Sequence, residues 1–240
     1  HRIIILIVTM LIVISTIGYI SFTMNNMLLF LMLINVLVPI LIIVSDYIDK
    51  PIQIMRNNKY INEAKKIIDS SPNLIVIGVT GTYGKTSVKN YLAKILSCKY
   101  QVLVTPQNYN TTLGVVKTIR ENLRATHQIF ICEMGACNIG DIKEICDIVK
   151  PKYGIITSIG PQHLETFGNV ENVANTKFEL ADEVLNNKNG KIYVNFDSVP
   201  AKERAEKITD RSQIVSFGTS NDCDCMAKNI SYSPSGTTFD

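Results

Sequence analysis

The chain lacks several features that would indicate a function directly. Its 240 residues carry a net charge of only +3, which is too slight to argue for nucleic-acid binding. The six cysteines include no C-x-x-C pair of the kind that holds a metal, and the C-x-C formed by Cys223 and Cys225 is a weak pattern. No internal repeat is visible. We therefore expect neither a nucleic-acid partner nor a cysteine metal site.

The first third of the chain has almost no charge. Residues 3–20 and 27–44 are nearly all apolar, and each run approaches the ~20 residues needed to cross a bilayer. A short polar, uncharged stretch separates them. Basic residues lie outside the pair, at Arg2 and from Lys50 onward, so the positive-inside rule puts both ends in the cytoplasm. The pattern predicts a two-helix transmembrane hairpin over residues 1–45.

Two other interpretations of these runs were weighed. A signal peptide would explain the first run but not the second, and no clear small-residue cleavage site follows the first run. A buried hairpin of a soluble protein would explain both. Residues 46–73 are more polar and contain Pro51 and Pro72, which predicts a juxtamembrane linker with one short helix near 58–69.

From residue 74 onward, strand and helix patterns alternate. Predicted strands cover 74–77, 102–104, 129–132, 153–157, 192–194 and 214–217. Predicted helices cover 88–95, 112–123, 139–149 and 170–186. The tail, 225–240, has the pattern of a β-hairpin that turns at 233–236. This alternation predicts an α/β domain over 74–240 with a mostly parallel sheet and helices on both faces.

Residues 78–87 read GVTGTYGKTS, between a predicted strand and a predicted helix, which is the context of a phosphate-binding P-loop. Glycines let backbone N–H groups face phosphate oxygens, and the helix N-terminus adds partial positive charge. Lys85 can reach the β- and γ-phosphates, and the Thr86 hydroxyl can hold Mg²⁺. The sequence departs from the common pattern at Val79, where a glycine is expected. A nucleotide site implies the cytosol, so we expect free thiols.

Three further side chains are candidates with two interpretations each. Glu133 ends a predicted strand and is either a second Mg²⁺ contact or a surface carboxylate. His163 follows the strand 153–157, at the edge where open α/β sheets bind ligands, but a lone histidine is often structural. Lys177 lies on a predicted helix and is by default a solvated charge.

Four sequence blocks carry a resemblance to the Mur ligase family. The stretch 78–87 resembles the ATP loop of that family. Three more blocks are similar to the branch that adds D-alanyl-D-alanine to the peptidoglycan precursor: NYNTTLG at 108–114, EMGA at 133–136 and IGPQHLETFG at 159–168. The segment TKFE at 176–179 follows in the expected order. The resemblance covers 74–240, the family's central ATP-binding domain.

Two positions depart from the family pattern. Ser158 stands where the family usually has Asn, and Thr176 replaces Ala. The family also has an N-terminal domain that grips the UDP end of the precursor, and a C-terminal domain that closes over ATP. Here the predicted membrane hairpin takes the place of the first. Since the chain begins at His1 and ends at Asp240 within a strand-like pattern, we expect it to be a piece of a longer protein whose C-terminal domain lies beyond it.

The resemblance implies a role for each matching residue. The ATP site would comprise Gly81, Thr82, Gly84, Lys85, Thr86 and Ser87, with Asn108 and Asn110 beside it toward the substrate. Thr86 and Glu133 would bind one Mg²⁺. His163 would bind a second, supported by Lys177 in carbamylated form. Lys85, Lys177 and His163 would be the catalytic residues.

The resemblance also implies an activity. The protein would be an ATP-dependent amide-bond ligase that activates a carboxylate as an acyl phosphate and adds D-alanyl-D-alanine to a UDP-muramoyl peptide in peptidoglycan synthesis. Its partners would be nucleotide, cell-wall precursors and the membrane, with the ATPase domain in the cytoplasm. The alternatives are a related ligase with another acceptor, such as a folylpolyglutamate or cyanophycin synthetase type, and a membrane-anchored ATP-binding scaffold that performs no ligation.

Overall fold

The N-terminal part of the chain is helical. The computed structural model describes residues 2–20, 27–107, 109–162, 164–234 and 236–240. Helix α1 spans Arg2–Ile20, and helix α2 spans Met27–Asp69 without interruption. The short helix expected at 58–69 is therefore the end of a 43-residue helix, and most of the expected linker is helical. Pro51 lies inside α2, where its missing N–H removes only one helical hydrogen bond and long helical segments continue on both sides.

Among the described residues, helix α2 contains the candidate for a membrane-spanning segment. The segment Met32–Asp69 is long and apolar enough to cross a bilayer, and only 6% of its most apolar stretch is buried. In α1, the corresponding apolar segment is Val8–Gly18, which is shorter. The residues that would join the two spans lie outside the described residues, so the hairpin stays a prediction. Contacts divide the chain into two units, 1–60 and 61–240.

The second unit is an α/β domain. Its strands are β1 (Ile75–Thr80), β2 (Val102–Val104), β3 (Ile129–Glu133), β4 (Tyr153–Ile156), β5 (Lys191–Asn195), β6 (Ile214–Gly218), β7 (Cys225–Met226), β8 (Ser231–Ser233) and β9 (Gly236–Thr238). Its helices are α3 (Lys85–Leu96), α4 (Thr112–Asn122), α5 (Asp141–Val149), α6 (Leu164–Phe167), α7 (Val170–Leu185) and α8 (Val199–Glu206). The end of α2 joins this unit, since Ala64 and Ile68 are buried and Glu63 pairs with Arg120 at 2.8 Å.

Seven strands form one parallel sheet in the order β2-β3-β1-β4-β5-β6-β7. Strand β1 lies between β3 and β4, with Val79 opposite both Glu133 and Ile155. The carboxyl ends of these three strands therefore meet at one edge, which is where ligands bind in open parallel sheets.

The core explains why helices cover both faces of the sheet. Side chains alternate along a strand, so Ile77 and Val79 point to the face covered by α3. Gly78 points the other way, toward α7, and a Cβ there would lie 2.6 Å from Leu180. Gly78 is thus a packing glycine inside β1, and Val79 is a core residue, which accounts for the departure from the usual P-loop spacing.

The predicted α/β fold with a mostly parallel sheet is confirmed. The tail differs in part: β8 and β9 pair antiparallel as expected, but Cys225 and Met226 form β7 and extend the main sheet beside β6. The sequence pattern also missed α6 and α8, because each is short and neither has a clear apolar period.

Candidate nucleotide site

The loop between β1 and α3 has the backbone shape of a phosphate cradle. Gly81 has φ 143°, a conformation that side chains rarely allow, and a Cβ there would collide with Thr157. The loop is held from the other side by the segment after β4. Thr157 Oγ1 donates to the Tyr83 carbonyl at 2.7 Å, and Thr82 N–H donates to the Ser158 carbonyl at 2.6 Å. These bonds hold the loop in place from the side of β4.

Lys85 is the first residue of α3, after the N-cap Gly84. Its ammonium donates to the carbonyls of Gly81 and Thr82 at 2.8 and 3.0 Å, so the side chain curls over its own loop. Burial lowers the pKa of Lys85, and the nearby carboxylate of Glu133 partly opposes that shift. A partly desolvated ammonium at this position is a strong point charge for an incoming phosphate.

Glu133 is the last residue of β3 and is almost fully buried beside the P-loop. The Thr86 hydroxyl donates to its two carboxylate oxygens at 3.1 and 3.3 Å, and the Asn110 amide donates to Oε1 at 3.2 Å. A hydroxyl and a carboxylate at this separation are hard oxygen ligands of the kind Mg²⁺ prefers. Thr86 and Glu133 therefore fit a shared metal ion. Ser87 is exposed on the same first turn of α3.

Asn110 reaches this carboxylate because its loop is tied to the residue after Met134. Gly135 N–H donates to the Asn110 carbonyl at 2.7 Å, and a Cβ on Gly135 would lie 2.9 Å from the Asn110 carboxamide. A side chain at Gly135 would force the Asn110 carboxamide to shift. The two sequence blocks that contain these residues thus meet in space.

Lys177 lies on α7 with 1% of its surface exposed. It lines a cavity of about 290 Å³ together with Lys85, Asn110, Gly135 and others. Burial, and then the positive charge of Lys85, lowers the pKa of Lys177 to about 8. The solvated-charge interpretation of Lys177 is therefore wrong: near neutral pH a fraction of this amine is neutral and nucleophilic.

Two structural residues were missed by sequence reasoning. Glu179, two residues after Lys177, accepts N–H bonds from Gly140 and Lys143 at 2.7 and 2.9 Å and so caps the N-terminus of α5. This contact fixes α7, and with it Lys177, against α5. Lys89 is the other residue, and is buried beside Glu133. Its position four residues after Lys85, on the same face of α3, was the available signal.

Not every predicted residue can be assigned a place. Asn108 and His163 lie outside the described residues. The Thr82 hydroxyl bonds with Gly160 at 3.1 and 3.2 Å and the Thr82 N–H donates to the Ser158 carbonyl, so Thr82 anchors the loop. Among the described residues, no three His, Cys, Asp or Glu side chains cluster as a metal site. The assessed cysteines are free thiols, as expected.

A central parallel strand, a glycine cradle, and a lysine at the start of the next helix define a P-loop α/β nucleotide-binding domain. Residues 79–240 match the Mur ligase middle domain. The chain therefore belongs to the Mur ligase family.

Named relatives agree with this assignment. The chain is 34% identical over 146 residues to the UDP-N-acetylmuramoyl-tripeptide–D-alanyl-D-alanine ligase of Mycobacterium leprae, covering 61% of this chain and 28% of the relative. It is 34% identical over 173 residues to the ligase of the same name from Buchnera aphidicola, covering 72% and 36%. The chain thus spans about a third of the length of these relatives.

A solved structure is also similar. The MurF ligase from Thermotoga maritima in complex with ADP superposes with a TM-score of 0.68 at 27% identity. The match covers 76% of this chain and 41% of that one. This supports the fold of the α/β unit and the membership in the family.

Proposed function

We propose that this protein is an ATP-dependent carbon–nitrogen ligase that adds D-alanyl-D-alanine to a UDP-muramoyl peptide. One observation carries the proposal: Lys85, Asn110, Gly135 and Lys177, which belong to four separate sequence blocks, line a single cavity. The choice of D-alanyl-D-alanine and a UDP-muramoyl peptide as substrates rests on the relatives named for this reaction. The whole reaction is proposed for the complete protein, because the chain spans about a third of those relatives.

In this proposal the ATP phosphates lie on the backbone of residues 81–84 at the N-terminus of α3, with Lys85 turning from its loop carbonyls to the phosphate oxygens. The Thr86 hydroxyl and Glu133 carboxylate hold Mg²⁺, which neutralises charge on the transferred phosphoryl group. Asn110 lines the adjoining cavity, and Ser87, Asn108 and His163 keep the roles predicted from the sequence. The similar Thermotoga maritima structure is a complex with ADP, which supports a nucleotide as the ligand of this domain.

The chemistry has two steps. A substrate carboxylate oxygen attacks the γ-phosphorus of ATP, the bond to the β–γ bridging oxygen breaks, and ADP leaves an acyl phosphate behind. The amine of D-alanyl-D-alanine then attacks the acyl carbon, loses a proton and expels inorganic phosphate. The protein groups act by positioning and by fixed charge, and Lys85 supplies charge where the phosphoryl group passes.

Lys177 contributes a second ligand group in this proposal. An amine with a pKa of about 8 is partly neutral at physiological pH and can add CO₂ to give a carbamate and a proton. The new carboxylate is a hard oxygen ligand, as Mg²⁺ requires. Removal of the ammonium also relieves its repulsion with Lys85.

The N-terminal residues have a separate role. We propose that residues 1–45 hold the protein in the cell membrane and that residues 74–240 form the ATP-binding domain on the cytoplasmic side. The exposed apolar surface of α2 supports this anchor. The stretch 46–73, which is helical as far as Asp69, then leads from the proposed anchor to the domain.

The test is an assay of the complete gene product with ATP, Mg²⁺, UDP-muramoyl-tripeptide and D-alanyl-D-alanine. We expect phosphate release that depends on both peptides, with one amide product for each ADP. Replacing the dipeptide by L-glutamate tests a folylpolyglutamate-type acceptor. Tight ATP binding without peptide-dependent phosphate release would instead identify an ATP-binding scaffold.

A further inference from the structure

Lys89 is a buried lysine that the proposed reaction does not use. It lies on α3, one turn after Lys85, and 2% of its side chain is exposed. Burying an ammonium is costly unless it is paired and hydrogen-bonded. The partners of the Lys89 ammonium therefore indicate the role of this residue.

The ammonium of Lys89 has three N–H groups and three acceptors. It lies 2.9 Å from Glu133 Oε2, 2.9 Å from the Thr105 carbonyl and 2.8 Å from the Gln107 carbonyl. All its donors are occupied, so none is left for a nucleotide. This saturation separates Lys89 from Lys85, whose partners are carbonyls of its own loop.

The two kinds of partner belong to two parts of the site. Lys89 lies 2.9 Å from Glu133 Oε2, the Asn110 amide donates to Oε1 at 3.2 Å, and the Thr86 hydroxyl lies 3.1 Å from Oε2 and 3.3 Å from Oε1. Contacts to both oxygens thereby fix the orientation of the carboxylate, and both oxygens lie within reach of the Thr86 hydroxyl. Thr86 and Glu133 would hold Mg²⁺ with a carboxylate whose orientation the contacts to Lys89 and Asn110 have already fixed.

The carbonyl partners lie just before Asn110. Gln107 has φ 40°, an uncommon conformation for a residue with a side chain, and such strain persists only where surrounding contacts enforce it. The bond from Lys89 to the Gln107 carbonyl is such a contact. Thr105 adds a second link, because its hydroxyl accepts the Glu133 N–H at 3.0 Å.

We propose that Lys89 is a positioning residue that orients Glu133 for Mg²⁺ and ties Thr105 and Gln107 to the P-loop helix. The inference depends on the proposed function, since it assigns the metal to Thr86 and Glu133. Groups that orient a metal ligand are worth about 10- to 100-fold in metal affinity when they are removed.

The experiment measures ADP affinity by calorimetry on the full chain in detergent, with saturating Mg²⁺ and with EDTA. In Lys89→Met we expect ADP affinity in EDTA to stay near the wild-type value, because Lys89 does not face the phosphates. We expect the tightening produced by Mg²⁺ to fall by about 10- to 100-fold. The matched control is Lys94→Met, the same change at an exposed lysine of α3, which should keep both affinities.

Lys89→Met leaves Glu133 buried without its cation, so the variant could fail to fold. Circular dichroism and thermal melting test this. If it is unfolded, Lys89→Gln takes its place, because the amide can still donate to Glu133 but cannot reach all three acceptors. We expect partial loss of the Mg²⁺ effect in that variant.

Three results are decisive. Loss of the Mg²⁺ effect with preserved EDTA affinity supports the inference. A folded Lys89 variant with the full wild-type Mg²⁺ effect overturns it and leaves the proposed function intact. Wild-type protein whose ADP affinity does not respond to Mg²⁺ would overturn the assigned metal site and with it this role of Lys89.

Discussion

At the residue scale, the lysines of the site have different partners and therefore different roles. Among the described residues, Lys85 bonds to carbonyls of its own loop, Lys89 is saturated by three acceptors, and Lys177 is buried at the wall of the cavity. The sequence shows a lysine at each of the three positions. Their partners in the structure distinguish the three side chains.

Lys85→Ala should weaken ATP binding about 10- to 100-fold, because one charge-assisted contact to phosphate is lost. The fold should persist, since the substitution removes only two bonds to loop carbonyls. Calorimetric titration with ATP measures the affinity, and thermal melting measures the fold. Lys94→Ala on the same helix is the control. Wild-type affinity in Lys85→Ala would show that the loop does not hold phosphate through this lysine.

Lys177→Met should stabilise the folded protein at pH 7. The pKa of Lys177 falls from 10.5 to about 8 on folding, so the unfolded state binds more protons between those values and stability rises with pH across that window. Below pH 8 the cost of the buried ammonium is fully present, up to about 3 kcal/mol. Urea unfolding of both proteins in CO₂-free buffer at pH 7 and pH 10 measures the difference in their free energies of unfolding.

In this comparison the advantage of Lys177→Met over wild type should be largest at pH 7 and should shrink by pH 10. Lys188→Met, at an exposed lysine just after α7, is the control and should show no such trend. An advantage that stays constant with pH would mean that Lys177 keeps an ordinary pKa in the folded protein.

Lys177→Ala should abolish ligation by the complete gene product, because the proposed carbamate is lost. Small carboxylates such as acetate should restore part of the rate, since they can occupy the space left by the side chain and offer the same oxygen ligand. The rate is followed as phosphate release with increasing acetate. Full activity without any added carboxylate would remove Lys177 from the mechanism.

At the element scale, strand and helix order followed from the sequence, but helix continuity did not. Strands β1, β3 and β4 were predictable because fully buried parallel strands read as short apolar runs. The continuity of α2 through Pro51 was not predictable, because Pro51 and the change from apolar to polar residues suggested that the helix breaks there. The contact between Asn110 and Gly135 was not predictable either, because both residues lie in loops, which have no periodic sequence pattern.

The length of α2 makes its membrane role testable. The full protein should sediment with membranes and resist extraction by high salt, because apolar spans are held by burial and not by charge. A chain starting at Ile61 should be soluble, and it keeps Glu63 with Arg120 and Asp69 with Lys150, the contacts of the helix end with the α/β unit. Release of the intact protein by salt alone would contradict a membrane-spanning α2.

At the scale of the whole molecule, the 240 residues contain a nucleotide cradle but span only about a third of the relatives named for the ligation. We predict that this chain alone binds ATP weakly and forms no amide bond. The P-loop, Glu133 and Lys177 are present, so phosphate contacts can form. The cavity lined by Lys85 and Lys177 holds about 290 Å³, which leaves a bound nucleotide and acceptor largely in water.

Water in the site has two consequences for the reaction. It weakens every electrostatic contact to the transferred phosphoryl group, and it exposes an acyl phosphate to hydrolysis. The incoming amine also loses the positioning that makes its attack effectively unimolecular, a factor that can account for about 7–11 kcal/mol of a barrier. The test compares this chain with the complete gene product, using ATP, Mg²⁺, UDP-muramoyl-tripeptide and D-alanyl-D-alanine, and follows ADP and the amide product separately. Slow ADP release without product from the short chain is expected; ligation at the rate of the complete protein would show that residues 1–240 close the site by themselves.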